Sequence, residues 1–160
     1  MIKSTRTIPA QFLHLLFGVY MGVRKTLNNY ISALLCVPYR WGGDNPVEGF
    51  DCSGLVVELL AAVGAIPHKT DMNAQSLYAK YKANKKLEPT WGCLSFYGKS
   101  LFEITHVGFC LGNGLIVEAG GGGSKTLTKA DAERQGAWIR IRPVQYRSDY
   151  LLSCSAISGE

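Results

Sequence analysis

Three side chains in this 160-residue sequence have the types and spacing for covalent chemistry at a carbonyl: Cys52 in "FDCSGLV", His106 in "EITHVGFCLGNGLIVEAGGGG", and Glu118 twelve residues beyond the histidine. Cys52 precedes a glycine and an apolar run that reads as helix, which sets its thiol at a helix N-terminus. Unpaired backbone N–H groups and the positive end of the helix dipole favour a thiolate there. A core thiol and a metal ligand are the other readings of such a cysteine. A cysteine nucleophile needs an imidazole partner, and the imidazole needs a group that fixes its tautomer and orientation. His106, one of three histidines, opens a strand-like run, and Glu118 lies in the next one. A structural histidine at a strand end and a solvated carboxylate are the bland alternatives for these two.

The even separation of His106 and Glu118 makes the intervening turn decisive. A three-residue turn with Gly114 left-handed puts both side chains on one face of a hairpin. A two-residue Asn113-Gly114 turn sends Glu118 to the other face. The triad reading therefore expects the three-residue turn.

Several elements must position these groups. Leu55, Val56, Leu59, Leu60 and Val63 recur at helical spacing from Cys52 to about Val63, ended by Gly64 and Pro67. Upstream, Ile8 to Val23 is mostly apolar, and Thr26 to Cys36 forms a second helical pattern stopped by Pro38. "PYRWGGDNPVEG" has loop composition. A short helix is expected over Asn73 to Lys82 with Asp71 as N-cap. The second half changes to a β period, with runs at Cys93 to Tyr97, Val107 to Leu111, Leu115 to Ala119, Ala137 to Arg142 and Tyr150 to Ile157. Helices followed by a strand meander give an α+β class, with a small antiparallel sheet packed on the Cys52 helix.

Composition bounds the rest. The length fits one domain with a real core, divided into an apolar helical extension over residues 1–25 and a single domain over residues 26–160. Five cysteines at wide spacing, with no Cys-x-x-Cys pair, argue against a disulfide framework and fit maturation in a reducing cytoplasm. The net charge of +5 is dispersed along the chain, so nucleic acid is not an expected partner, whereas an anionic wall or lipid layer is compatible. Lys3 and Arg6 precede the Ile8 to Val23 stretch as in a signal peptide. Gln11 and His14 interrupt it, no small-x-small cleavage site follows, and it is shorter than the ~20 residues of a spanning helix. A helix packed on the domain is expected there, with a membrane or partner-protein contact as the alternative. Zinc on Cys52, Cys93, His106 and Cys110 lacks the short ligand spacings of a hydrolytic site, so no metal and no organic cofactor is expected.

"PYRWGGDNPVEGFDCSGLV" followed by "THVGFCLGNGLIVEA" resembles the NlpC-type cell-wall peptidases, papain-like bacterial enzymes that cleave peptidoglycan stem peptides. The resemblance covers about Ile31 to Glu118 and the later strands more loosely. It implies a papain-like core, a catalytic Cys52, His106 as its partner and Glu118 at the third polar position. It further implies Tyr39 near the oxyanion, Asp51 and Ser53 at the substrate's amino end, and Trp41, Gly42 and Gly43 shaping the loop; a buried aromatic and a helix cap are the plain alternatives for Tyr39 and Asp51.

The family usually carries His, Asn or Gln at the third position, where Glu118 would place a full charge beside the imidazole and raise its pKa. Cys93 stands where an acidic residue is common and reads as structural. The implied activity is a stem-peptide endopeptidase, with a D-glutamyl to diamino-acid bond as the usual target. Without a cleavable signal, such an enzyme would be made in the cytoplasm and reach the wall by lysis, in a phage particle or through a secretion apparatus. A monomer is expected. An amidase or acyltransferase on another amide or ester, and a non-catalytic wall-binding or phage-tail module, are the competing functions.

Overall fold

The computed structural model describes residues 10–157, with side chains from residue 14 onward. The Lys3 and Arg6 calls and the start of the apolar stretch at Ile8 lie outside the described residues. The first element, α1, runs from Ala10 to Leu34 without interruption. Two helical segments meeting near residue 25 were expected, but no proline falls between Pro9 and Pro38, so nothing breaks the backbone ladder at the join. Leu27, Ile31 and Leu34 on its C-terminal half are buried, and Tyr20, Val23 and Tyr30 pack beside them. Cys36, left-handed at φ 67°, then turns the chain out of the helix.

A two-residue pair, β1 (Asp44–Asn45) and β2 (Gly49–Phe50), closes the loop before α2 (Cys52–Ala62). The next helix, α3, spans Ala74–Tyr81. Its cap is Asn73, whose side chain accepts from the Ser76 N–H, and not the expected Asp71, two residues too early to reach that donor. The strands follow as β3 (Lys85–Lys86), β4 (Cys93–Ser100), β5 (Glu103–Gly112), β6 (Leu115–Gly120), β7 (Trp138–Pro143) and β8 (Tyr150–Ser155). A short helix, α4 (Lys129–Gln135), interrupts them; β-type periodicity on either side gave no sign of it.

All six strands form one antiparallel sheet in the order β3-β8-β4-β5-β6-β7. Leu94, Phe96, Val107, Phe109, Val117, Ala119 and Ile139 join Leu55, Leu59 and Leu60 of α2 and Leu77 of α3 in the main core. Alternate residues of the same strands face the other way, where Cys93, Tyr97, Cys110, Ile116 and Val144 form a smaller cluster beneath the β7–β8 connection. Cys93 lies in β4, an interior strand, paired with Ser155 of β8. It is a structural thiol beside the Thr90 hydroxyl. The architecture is the expected α+β arrangement, with the Cys52 helix packed on an antiparallel sheet.

Candidate active site

Asp51 is the N-cap of α2, in extended conformation, and it organises the ground on which Cys52 stands. Its Oδ1 accepts from the Ser53 N–H at 3.0 Å, the Gly54 N–H at 2.8 Å and the Ser53 hydroxyl at 2.9 Å, and its Oδ2 accepts from the Gly42 N–H at 3.0 Å. One carboxylate therefore satisfies two orphan helix donors and ties the Arg40–Gly43 loop to the helix start. With the Ser53 and Gly54 donors occupied, the Cys52 N–H at the first helical position is the one left facing the site. Gly54 is obligatory in this packing, because a Cβ there would overlap the Gly43 carbonyl oxygen. Replacing Asp51 by alanine is expected to destabilise the fold by about 1–2 kcal/mol through the lost cap, read as a lower midpoint in urea unfolding with an unchanged slope.

His106 and Glu118 meet through a turn that differs from the expected one. Asn113 and Gly114, both left-handed at φ 52° and 73°, form a two-residue turn with Gly112 opposite Leu115. By itself that register would throw Glu118 to the far face. The pairing returns to Cys110 opposite Ile116 because Leu111 is an extra, bulged residue on β5. The bulge restores the parity that a three-residue turn would have given, so the residues share a face by a different route.

The resulting contact is short: the His106 Nε2–H donates to Glu118 Oε2 at 2.6 Å. Both side chains are buried, Glu118 completely. Burial pushes the His106 pKa down, but hydrogen bonds to Cys52 and Glu118 and their charges outweigh it and raise it to about 9. With Nε2 committed to Glu118, Nδ1 is the nitrogen that meets Cys52. Burial likewise opposes the charge on Glu118, yet hydrogen bonds from His106, Tyr146 and Arg140 hold its carboxyl below the usual range. An imidazolium held by the Glu118 carboxylate is the state this geometry favours at neutral pH.

Two of the groups on Glu118 were not singled out from sequence. Arg140 Nε donates to Oε1 at 3.3 Å, and the Tyr146 hydroxyl donates to Oε2. Arg140 lies directly opposite Glu118 in the β6–β7 register, an opposite-charge cross-strand pair that becomes visible only once the register is known. Tyr146 arrives on the β7–β8 connection. That connection is fixed by the Tyr97 hydroxyl on the Val144 carbonyl at 2.7 Å, by the Gly98 N–H on the Asp149 carbonyl at 3.0 Å, and by a bidentate Arg147–Asp149 pair. Tyr97 also packs its ring 5.5 Å from the His106 ring.

Gly120 completes the cradle, since a Cβ there would overlap both oxygens and the carboxyl carbon of Glu118 or crowd them closely. Gly120→Ala is expected to displace the carboxylate and lower kcat by about 10- to 100-fold with the sheet retained, measured by steady-state kinetics beside a circular dichroism melt.

The other residues marked in the sequence gather here to different degrees. Tyr39 is buried, its ring against Gly122 of the glycine-rich loop, and burial together with the Cys52 and Asp51 charges raises its pKa, so its hydroxyl is a neutral donor near the thiol. Ser53 is buried with its hydroxyl on Asp51. Trp41 is half exposed on the loop, its N–H bonded to the Thr126 carbonyl at 2.8 Å. The four residues weighed for zinc do not converge: Cys110 bonds the Ser95 hydroxyl and Cys93 pairs with Thr90, and among the described residues no group of three or more His, Cys, Asp or Glu is placed to hold a metal ion. Burial pushes the Cys110 thiol up to about 12 and the Cys154 thiol up to about 11, so both stay protonated.

A sequence model described as the NlpC/P60 family matches residues 36–141, which holds Tyr39, Cys52, His106, Glu118 and Arg140. Over 89 residues the chain is 42% identical to the bifunctional muramidase/DL-endopeptidase CwlT of Bacillus subtilis, covering 54% of this chain and 26% of that protein. Over 100 residues it is 32% identical to the murein DD-endopeptidase MepH of Escherichia coli, covering 59% of this chain and 35% of that one. The chain thus spans about a quarter to a third of the length of these relatives. A solved NlpC/P60 family protein from Bacillus cereus superposes with a TM-score of 0.62 at 19% identity, over 84% of this chain and 40% of that one, which is a likeness of fold. With the match spanning residues 36–141, well over half of the chain, the protein belongs to the NlpC/P60 family.

Proposed function

We propose that the protein is a cysteine endopeptidase of peptidoglycan stem peptides, with Cys52 as nucleophile, His106 as its acid–base partner and Glu118 as the group that orients the imidazole. The observation that carries this reading is the buried His106–Glu118 contact at 2.6 Å with the Cys52 thiol on the imidazole's other side. The names of the relatives, a DL-endopeptidase and a murein DD-endopeptidase, support the same substrate class.

The Cys52 thiolate attacks a peptide carbonyl, and a tetrahedral intermediate forms with its oxyanion on the Cys52 N–H and the Tyr39 hydroxyl. His106 gives its Nδ1 proton to the departing amine, leaving an acyl thioester. Water, deprotonated by the now neutral imidazole, attacks the thioester, and the Cys52 thiolate leaves. Glu118 keeps Nε2–H in place throughout and offsets the cost of a buried cation. The free lone pairs of Asp51 Oδ2 and the exposed Trp41 ring border the loop that would receive the substrate's amino end.

Within stem peptides, the bond between D-glutamate and a diamino acid is the proposed target. Two synthetic stem peptides separate the readings, one offering only that bond and the other only a D,D cross-link. Cleavage of the first and not the second is expected. Cleavage of the D,D bond alone would move the specificity, and cleavage of neither, with an ester or other amide hydrolysed instead, would replace the endopeptidase with an amidase or acyltransferase.

A further inference from the structure

The N-terminal half of α1 has no counterpart in the chemistry above, and its surface is unusual. Leu15 and Phe17 are each 63% exposed, Leu16 56% and Val19 59%, so four large apolar side chains point outward over a broad arc of the helix between His14 and Val19. The inward stripe of Tyr20, Val23, Leu27, Ile31 and Leu34 begins only after this stretch, which therefore projects beyond the domain. Exposed apolar side chains this dense mark an interaction surface.

Charge says what covers it. The first 43 residues contain Lys3, Arg6, Arg24, Lys25 and Arg40 and no acidic residue, whereas from Asp44 onward the remaining basic residues are balanced by all 12 acidic ones. By formal count the first 43 residues therefore carry the net +5; Arg40 is paired with Glu48 on the loop before α2, and the cations on α1 itself are Arg24 and Lys25. Directly after the apolar stretch, Met21, Gly22, Arg24, Lys25, Asn28 and Asn29 line an open concavity of about 600 Å³ on the helix surface. Arg24 is held there over the Trp91 ring at 5.7 Å, and Lys25 is exposed. A second copy of the chain laid on this face would set like charges against one another. Among the described residues no helix is long and apolar enough to cross a membrane.

We propose that the projecting end of α1 docks on an anionic lipid surface, the Leu15–Val19 side chains entering the acyl boundary and Arg24 and Lys25 meeting headgroup phosphates. Apolar burial at one end and cations about one to two turns away is the arrangement of an interfacial anchor. The docking is independent of the hydrolytic reading, since none of these side chains touches Cys52, His106 or Glu118.

Flotation of the full chain with phosphatidylcholine vesicles, with and without about 30% phosphatidylglycerol, tests it. The chain is expected to float with the anionic vesicles only, to lose binding in Leu16→Glu/Phe17→Glu, and to bind about fivefold more weakly in Lys25→Gln. Those substitutions are at exposed positions, and an unchanged melting temperature confirms that each variant is folded. Failure to float with either vesicle, equal floating with both, or full binding by the folded Leu16→Glu/Phe17→Glu variant overturns the proposal. So does a wild-type dimer in sedimentation equilibrium that the double variant dissolves while vesicle binding is absent, which assigns the face to a second copy.

Discussion

Replacing Cys52 by serine is expected to leave the fold intact and to reduce stem-peptide cleavage on the order of 10⁴-fold. The side chains are nearly isosteric, so the Asp51 cap, the Gly54 close approach and the α2 packing all survive. What changes is the acidity of the nucleophile. A thiol gives up its proton to an imidazole far more readily than a serine hydroxyl does. The pair that raises His106 to about 9 loses one of its anionic members, so the imidazole of the variant titrates at a lower pH. The ¹H–¹⁵N signals of the His106 ring against pH read that shift directly. An unchanged His106 titration would mean that the thiol and imidazole do not interact as the geometry has it.

Removing Glu118 is the second large effect, and two substitutions separate its parts. Glu118→Ala leaves the His106 imidazolium and Arg140 without their common anion in a closed site, at a cost of about 3–5 kcal/mol, and is expected to lower kcat by about 10³-fold. Glu118→Gln keeps an oxygen to accept from Nε2 and loses only the charge. Its kcat is expected to fall about 10- to 100-fold, with the alkaline limb of activity moving down from about pH 9 because Cys52 alone then opposes the burial that depresses His106.

The same groups set the pH dependence of stability. His106 titrates higher in the folded chain than its ordinary 6.5, so its contribution is complete below about pH 6.5 and is lost as pH rises through about 9. Glu118 is held below its ordinary 4.5, so its contribution is present above that value and is lost as pH falls through the lower folded one. A plot of melting temperature against pH is expected to be flat between those two limbs. In Glu118→Gln the alkaline decline should still start near 6.5 and end at a lower pH than about 9; a decline that still runs to about 9 contradicts the assignment of the charge to Glu118.

The Cys52 helix was readable from local pattern, because Leu55, Val56, Leu59 and Leu60 recur at helical spacing behind a carboxylate cap that needs no tertiary information. The β-runs were likewise legible, to within one to four residues at their ends, from alternation and glycine turns. Parity in the β5–β6 hairpin was not. Leu111 carries no sequence mark that it will bulge, and the two-residue turn at Asn113-Gly114 suggested the opposite face for Glu118. The helix α4 escaped for another reason. It is seven residues long with only Ala132 buried, and its signature is the Thr128–Asp131 capping box, not an apolar stripe.

Tyr146 and Arg140 needed three-dimensional facts of increasing range. Arg140 required the β6–β7 register, and Tyr146 required the path of a connection pinned to Tyr97 and Gly98. Their partnership explains how a glutamate, in place of the His, Asn or Gln that the family resemblance led one to expect, is accommodated at the third position. Arg140 supplies a countercharge and Tyr146 a second donor to a carboxylate that is fully out of water. The sequence motif around Cys52 and His106 marked the candidate site, while the surroundings of Glu118 came from the sheet.

The most direct test of the central claim is digestion of purified peptidoglycan by the wild-type chain and by Cys52→Ser, with released fragments read by mass spectrometry. New stem-peptide termini with wild type and none with the variant are the predicted result, and the masses identify the bond. Equal fragment profiles from the two proteins, or no release from walls of several chemotypes, would contradict a hydrolytic centre built on Cys52, His106 and Glu118.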